Sequence, residues 1–99
     1  MDDVELNLNK NGSGYFYINE GEHKIAEMTI DVSGNELTVY HTEVLPKAEG
    51  RGLAKKLLTS MADYARKSDL KVIALCPYVH AQFSLHPDEY SDIWKNKKT

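Results

Sequence analysis

The feature that most constrains this chain is a change of hydrophobic period halfway along it. Val4, Leu6 and Leu8 alternate with polar residues, as do Met28, Ile30 and Val32. A two-residue period marks strands with one face buried. Turn chemistry separates these runs: "NGSG" at Asn11 to Gly14, "EGE" around Gly21, and "SGN" at Ser33 to Asn35. The aromatic "YFYIN" and the stretch "ELTVYHTEV" supply two further β-favouring segments. Four strands joined by short loops imply an antiparallel meander. The period then becomes helical: Leu53, Leu57, Leu58, Met61, Ala62 and Ala65 fall on one stripe, and Lys55, Lys56, Ser60, Asp63 and Lys67 on the other side.

After this helix, "LKVIALC" from Leu70 to Cys76 is nearly continuously apolar and ends at Pro77. Such a run predicts a strand covered on both faces. Strand, helix, strand is a right-handed crossover, which places this strand parallel to the fourth. "YVHAQFSLH" predicts a short helix stopped by Pro87, and Tyr90, Ile93 and Trp94 are expected to pack back as a cap. The expected order is ββββαβα, an α+β fold forming one domain over residues 1–99.

Composition narrows the function classes. The net charge of −3 comes from mixed acidic and basic residues, so there is no basic face for nucleic acid. The basic "KNKK", Lys95 to Lys98, reads as a solvated end. No apolar run is long enough to span a membrane, and the acidic start lacks a signal core. The lone Cys76 has no internal disulfide partner and no metal-type spacing around it, so no metal site is expected. A cytoplasmic protein is expected.

"LPKAEGRGLAKKLL", Leu45 to Leu58, places two glycines and Arg51 directly before the helix. A helix N-terminus leaves its first amides unpaired and carries partial positive charge. A glycine-rich approach lets those amides meet a phosphate, with Lys47, Arg51, Lys55 and Lys56 nearby. Spacing alone leaves this reading open beside a plain helix start. The Walker and Rossmann patterns are both absent.

The chain resembles the GNAT superfamily of N-acetyltransferases, whose R/Q-x-x-G-x-G/A signature opens the helix after the fourth strand. "EGRGLA" matches with Gly52 and Ala54 at the small positions, and Glu49 stands where Arg or Gln is usual; "KAEGRG" is a second register. "HTEV" (His41 to Val44) and "CPYV" (Cys76 to Val79) are similar to segments of the small GNAT-like acetyltransferases of about a hundred residues. The larger members place helices between their first two strands and add closing strands that shape the acceptor site; this chain has neither.

The resemblance implies acetyl-CoA as cofactor and an amine as acceptor. It implies a minimal GNAT-like fold, with the pyrophosphate on Glu49, Gly50, Arg51, Gly52, Leu53, Ala54 and Lys55. It also implies that the pantetheine arm runs along the Glu43, Val44 and Leu45 backbone, with Tyr78 either in the core or lining the channel. The thioester would then lie near Cys76, which can act as an acetyl-accepting nucleophile or simply as a small buried hydrophobe. His41 shares the alternating face of Leu37 and Val39, where it reads either as a hydrogen-bonded core histidine or, with β-strands splayed as the resemblance implies, as a base approaching Cys76. His80 is the second choice, and Glu43 is an alternative base acting through water. Two non-enzymatic readings stand beside this one: a CoA- or acyl-CoA-binding module, and an interaction domain using the Tyr90–Trp94 cap.

Overall fold

The computed structural model describes residues 3–95. Five strands form one sheet in the order β1-β2-β3-β4-β5. They are β1 (Val4–Leu8), β2 (Ser13–Glu20), β3 (His23–Ser33), β4 (Glu36–Val44) and β5 (Lys71–Ala74). The first four are antiparallel neighbours, and β5 lies parallel to β4, the α+β arrangement expected from the sequence.

Helix α1 (Leu53–Lys67) makes the crossover and buries Leu53, Leu57, Leu58, Met61, Ala62 and Ala65, the stripe read from the periodicity. They meet Phe16, Ile18, Met28, Ile30, Leu37 and Val39 from one face of the sheet in a single core. Burying a Leu or Met side chain of this kind is worth roughly 1.5–3 kcal/mol, so this face holds the helix in place. The opposite face carries Tyr15, Tyr17, Glu27 and Thr29, all only partly buried.

Two irregularities reshape the strands. Thr29 pairs with His41 and Ile30 with Val39, so Tyr40 is an extra residue without a partner on β3. Such a bulge inverts the alternation beyond it. Leu37 and Val39 are buried, but His41 emerges exposed and Thr42 takes the inner face. The expectation that His41 shares the face of Leu37 and Val39 is therefore corrected. A second bulge, between Ile18 and Asn19, leaves Ile25 and Ala26 both buried.

β5 is shorter than predicted and covered on one face only. Val72 and Ala74 are buried, Ile73 is half-buried, and Leu75 is 60% exposed. Pro77 sits in the first turn of α2 (Pro77–Leu85), where its missing N–H costs nothing. Pro87 stops α2 but also opens a further short helix, α3 (Pro87–Tyr90), which the sequence pattern does not separate. The chain then returns along β5: the Val72 amide donates to Ile93 O (2.6 Å), and the Lys95 amide donates to Val72 O (2.9 Å). Phe83 stacks on Tyr90 (4.8 Å between centroids) and meets Trp94 edge-on (5.5 Å). The aromatic cap is thus spent on internal packing.

Candidate functional site

After β4 the chain makes a short 3-10 turn, Pro46–Ala48, and then two left-handed glycines. Gly50 has φ 85° and Gly52, the N-cap of α1, has φ 75°. A residue with a Cβ pays about 1–2 kcal/mol for this conformation, which is why glycine stands at both. A Cβ at either position would meet nothing within 4 Å, so the space in front of the loop is open. No side chain caps α1. The first amide of this turn with a helical acceptor is that of Lys56, bonded to Gly52 O at 3.1 Å. The preceding N–H groups face outward with the positive end of the helix dipole.

These amides border a cleft of about 340 Å³ lined by Val44, Ala48, Glu49, Gly50, Gly52, Leu53, Ala54, Lys55 and Tyr78. Most of the predicted anion-site residues therefore converge. Arg51 does not line the cleft; its Nη1 pairs instead with Glu20 Oε2 at 3.3 Å. Glu43 and Leu45 are also turned elsewhere, onto a depression with Lys24, Ile25, Ala26 and Glu27.

The second component of the site is a gap between β4 and β5. These strands pair only from Glu36–Lys71 to Val39–Ala74. Val39 O then accepts from both Leu75 N (3.1 Å) and Cys76 N (2.9 Å), and α2 turns the chain away. Among the described residues, the rest of β4 has no strand on that side. The amide of Leu45 donates to Ile25 O (2.9 Å), which fixes the parity of the ladder. In an antiparallel pair, alternate residues direct both backbone groups outward. Glu43, the register partner of Glu27, and Leu45 thus face β3, whereas Thr42 and Val44 turn their N–H and C=O groups into the gap. Extended backbone with donors and acceptors turned outward suits an amide-bearing chain such as pantetheine.

Cys76 caps the N-terminus of α2 and is 2% exposed. Its Sγ lies 3.3 Å from Thr42 Oγ1 across the inner end of the gap. Strict alternation misses Thr42, yet the sequence holds a clue. Val39 and Val44 are five residues apart, an odd spacing that two residues on one face can have only across a bulge. His41 is not brought to the thiol: its imidazole is 64% exposed, and its Nε2 lies 3.9 Å from Glu43 Oε1 on the uncovered face. His80 is exposed and meets Trp94 edge-on at 5.5 Å. Tyr78 stands at the cleft; burial, and secondarily the neighbouring Cys76, push its phenol pKa up. Among the described residues, no group of three His, Cys, Asp or Glu side chains converges to hold a metal. No described helix is long and apolar enough to cross a membrane.

A model of the GCN5-related N-acetyl-transferase family matches residues 15–93. The chain belongs to this family. The GCN5-related fold is also shared with solved structures. The NMR solution structure of a GCN5-like candidate N-acetyltransferase from Staphylococcus aureus is similar at 31% identity and TM-score 0.70, covering 99% of this chain and 94% of that one. A ribosomal-protein-alanine N-acetyltransferase from Brucella melitensis is similar in fold at TM-score 0.69 and 14% identity, covering 100% of this chain and 95% of that one. No curated protein sequence matches the chain.

Proposed function

We propose that the protein is an acetyl-CoA-dependent N-acetyltransferase acting on a primary amine. The observation that carries this reading is the meeting, on one cleft, of the uncapped start of α1, Val44 from the open side of β4, and Tyr78 two residues beyond Cys76. The residues present fit acetyl-CoA. Amides from Gly50 to Lys55 would hold the pyrophosphate, with Glu49 contributing no positive charge, so the backbone supplies most of the grip. Thr42 and Val44 would hold the pantetheine amides. Arg51, paired with Glu20, supports the loop and adds positive charge at longer range.

The thioester is already activated, so the protein's own task is to position it, strip water from the amine and place protons. Tyr78 keeps its proton through neutral pH, because its raised pKa favours the neutral phenol. A neutral phenol at the cleft would be available to donate to the sulfur that leaves with CoA. His41, beside Glu43 on the uncovered face and away from the thiol, would take a proton from an amine arriving there. Cys76 and Thr42 form the floor of the gap. The single buried thiol fits a reducing compartment, the cytoplasm.

The test is a titration with acetyl-CoA followed by backbone amide spectra. Shifts at Gly50, Gly52 and Ala54, with none in Gly52→Ala, are expected; their absence at millimolar ligand rejects the site. Mass spectrometry of the same samples reads Cys76. An acetyl adduct there, lost in Cys76→Ala together with turnover, assigns it a covalent role. Turnover retained by Cys76→Ala assigns it to the floor. Tight CoA binding without thioester loss across a panel of amines selects the rival reading of a binding module.

A further inference from the structure

Strand β1 forms one border of the sheet, and among the described residues β2 is the strand paired with it. The direction of its hydrogen bonds follows from the turn after it. Asn9 N donates to Ser13 O at 2.8 Å, and this pair continues the β1–β2 register by one step. A Cβ on Gly14 would lie 2.1 Å from Asn7 O, so that carbonyl also points at β2. Alternate residues of an antiparallel strand direct both backbone groups to the same side. Glu5 and Asn7 therefore bond to β2, whereas Val4, Leu6 and Leu8 turn their N–H and C=O groups away from the sheet. Within β1 there is no proline, lysine or bulge, the devices that usually blunt such an edge.

The same three residues carry the strand's apolar side chains. Val4 and Leu6 are half-buried against the core, and Leu8 is 37% exposed. Glu5 and Asn7 project from the other face, where each reaches a tyrosine of β2 over a long contact. Tyr17 Oη donates to Glu5 Oε1 at 3.4 Å, and Asn7 Nδ2 donates to Tyr15 Oη at 3.4 Å. This pattern is self-complementary. We propose that β1 pairs antiparallel with β1 of a second copy of this chain, about a two-fold axis at Leu6.

Leu6 then faces Leu6 of the second copy, and Val4 faces its Leu8 at either end. Each pair exchanges two backbone hydrogen bonds, about six in all. On the other face Glu5 meets Asn7 of the second copy, a carboxylate opposite an amide donor, and symmetry repeats the contact. The neighbouring registers fit less well. An axis at Glu5 sets the two Glu5 carboxylates opposite each other, as does an in-register parallel pairing, and like charges so placed destabilise a sheet. An axis at Asn7 sets Val4 opposite Lys10. Backbone, apolar side chains and charge thus select one arrangement. The contact is small, so the pair should dissociate at roughly 10–100 μM. β1 contributes no residue to the cleft at Gly50 and Gly52, and the pairing stands apart from the acetyltransferase reading.

The test is sedimentation velocity of the full chain, with amide hydrogen exchange recorded at the same concentrations. The mass is expected to rise from one chain to two between about 10 μM and 1 mM. The Val4, Leu6 and Leu8 amides should gain protection over that range, and those of Glu5 and Asn7 should not. Asn7→Lys, at an exposed position, sets a lysine opposite Glu5 of the second copy and is expected to tighten the pair about five-fold. Adding Glu5→Lys sets lysine opposite lysine and should loosen the pair below the parent. It does so even though the two changes add one and two positive charges and cancel the net −3, so general repulsion cannot explain the loss. A chain still monomeric at about 1 mM overturns the proposal. So do assemblies larger than two, protection gained at Glu5 and Asn7 instead, or a double variant that pairs more tightly than Asn7→Lys. Protection of Val4, Leu6 and Leu8 already complete in the monomer assigns the edge to another segment of the same chain and also overturns it.

Discussion

At the scale of single residues, the outcome turns on which side chain stands opposite Cys76. Thr42 does, at hydrogen-bond distance, and a hydroxyl cannot serve as a general base for a thiol near neutral pH. What it can do is fix the sulfur's orientation at the floor of the gap. Thr42→Val keeps the shape and removes the hydroxyl. We expect its KM for acetyl-CoA to be retained while kcat falls about five-fold, the worth of one hydrogen bond. Steady-state kinetics with a fixed amine checks this, and an unchanged kcat assigns the contact to packing only. Much of this site is legible in the order of the amino acids. The glycines at 50 and 52, the helix they precede and Cys76 just beyond β5 are all properties of local spacing. The partner of Cys76 is not, because it depends on a bulge whose trace in the sequence, the odd Val39–Val44 spacing, does not say which residue between them is the extra one.

At the scale of elements, that irregularity is the bulge at Tyr40. The alternation in β2 and the middle of β3 translates directly into buried and part-exposed faces, since each run lies within one unbroken register, whereas edge strand β1 leaves Val4 and Leu6 half-buried and Leu8 exposed. In β4 one extra residue turns His41 outward and Thr42 inward. The bulge also coincides with the point where β4 and β5 part, so it sets both the identity and the accessibility of the gap's lining. Deleting Tyr40 should close the bulge into an unbroken ladder with His41 still outward and Thr42 still inward, because Val39 already pairs with Ile30 and His41 with Thr29. Its stability, read as the urea midpoint, is expected to stay within about 0.5 kcal/mol of the parent's. A much lower midpoint would show that the parting of β4 from β5 needs the extra residue. β5 carries a related lesson. Its apolar run suggests cover on both faces, but a continuous hydrophobic stretch specifies burial only where another element exists to provide it. Here Leu75 instead ends in solvent.

At the scale of the molecule, the return of the chain along β5 ties the end of the fold to α1. Arg66 Nε donates to Asp92 Oδ2 (2.8 Å), its Nη2 donates to Glu89 O (2.6 Å), and Lys71 Nζ donates to Asp92 O (2.6 Å). The hydrogen bond from Arg66, ahead of its charge, holds the Asp92 carboxyl below its usual pKa. A depressed folded-state pKa contributes stability above the unfolded value, and that stability is lost as pH falls through the folded one. Asp92 is more than half exposed, so solvent screening limits the contribution to about 0.2–1 kcal/mol. Asp92→Asn should therefore lose that much at pH 7 and nothing once the pH is below the folded value. Urea midpoints at several pH values measure the difference. The sequence suggests that Tyr90, Ile93 and Trp94 pack back, because large apolar side chains near a chain end need cover. It does not show that they do so as an extra rung on the sheet.

That rung bears on how copies of this chain can meet. An uncovered strand edge is a surface to which another sheet can add. Residues Ile93 to Lys95 occupy the outer side of β5 at Val72, whereas the outer side of β1 has no strand beside it among the described residues. At Val72 the C-terminal return is therefore a terminator as well as a cap: among the described residues a second copy could add along β1, but not at the rung of β5 that the return already occupies.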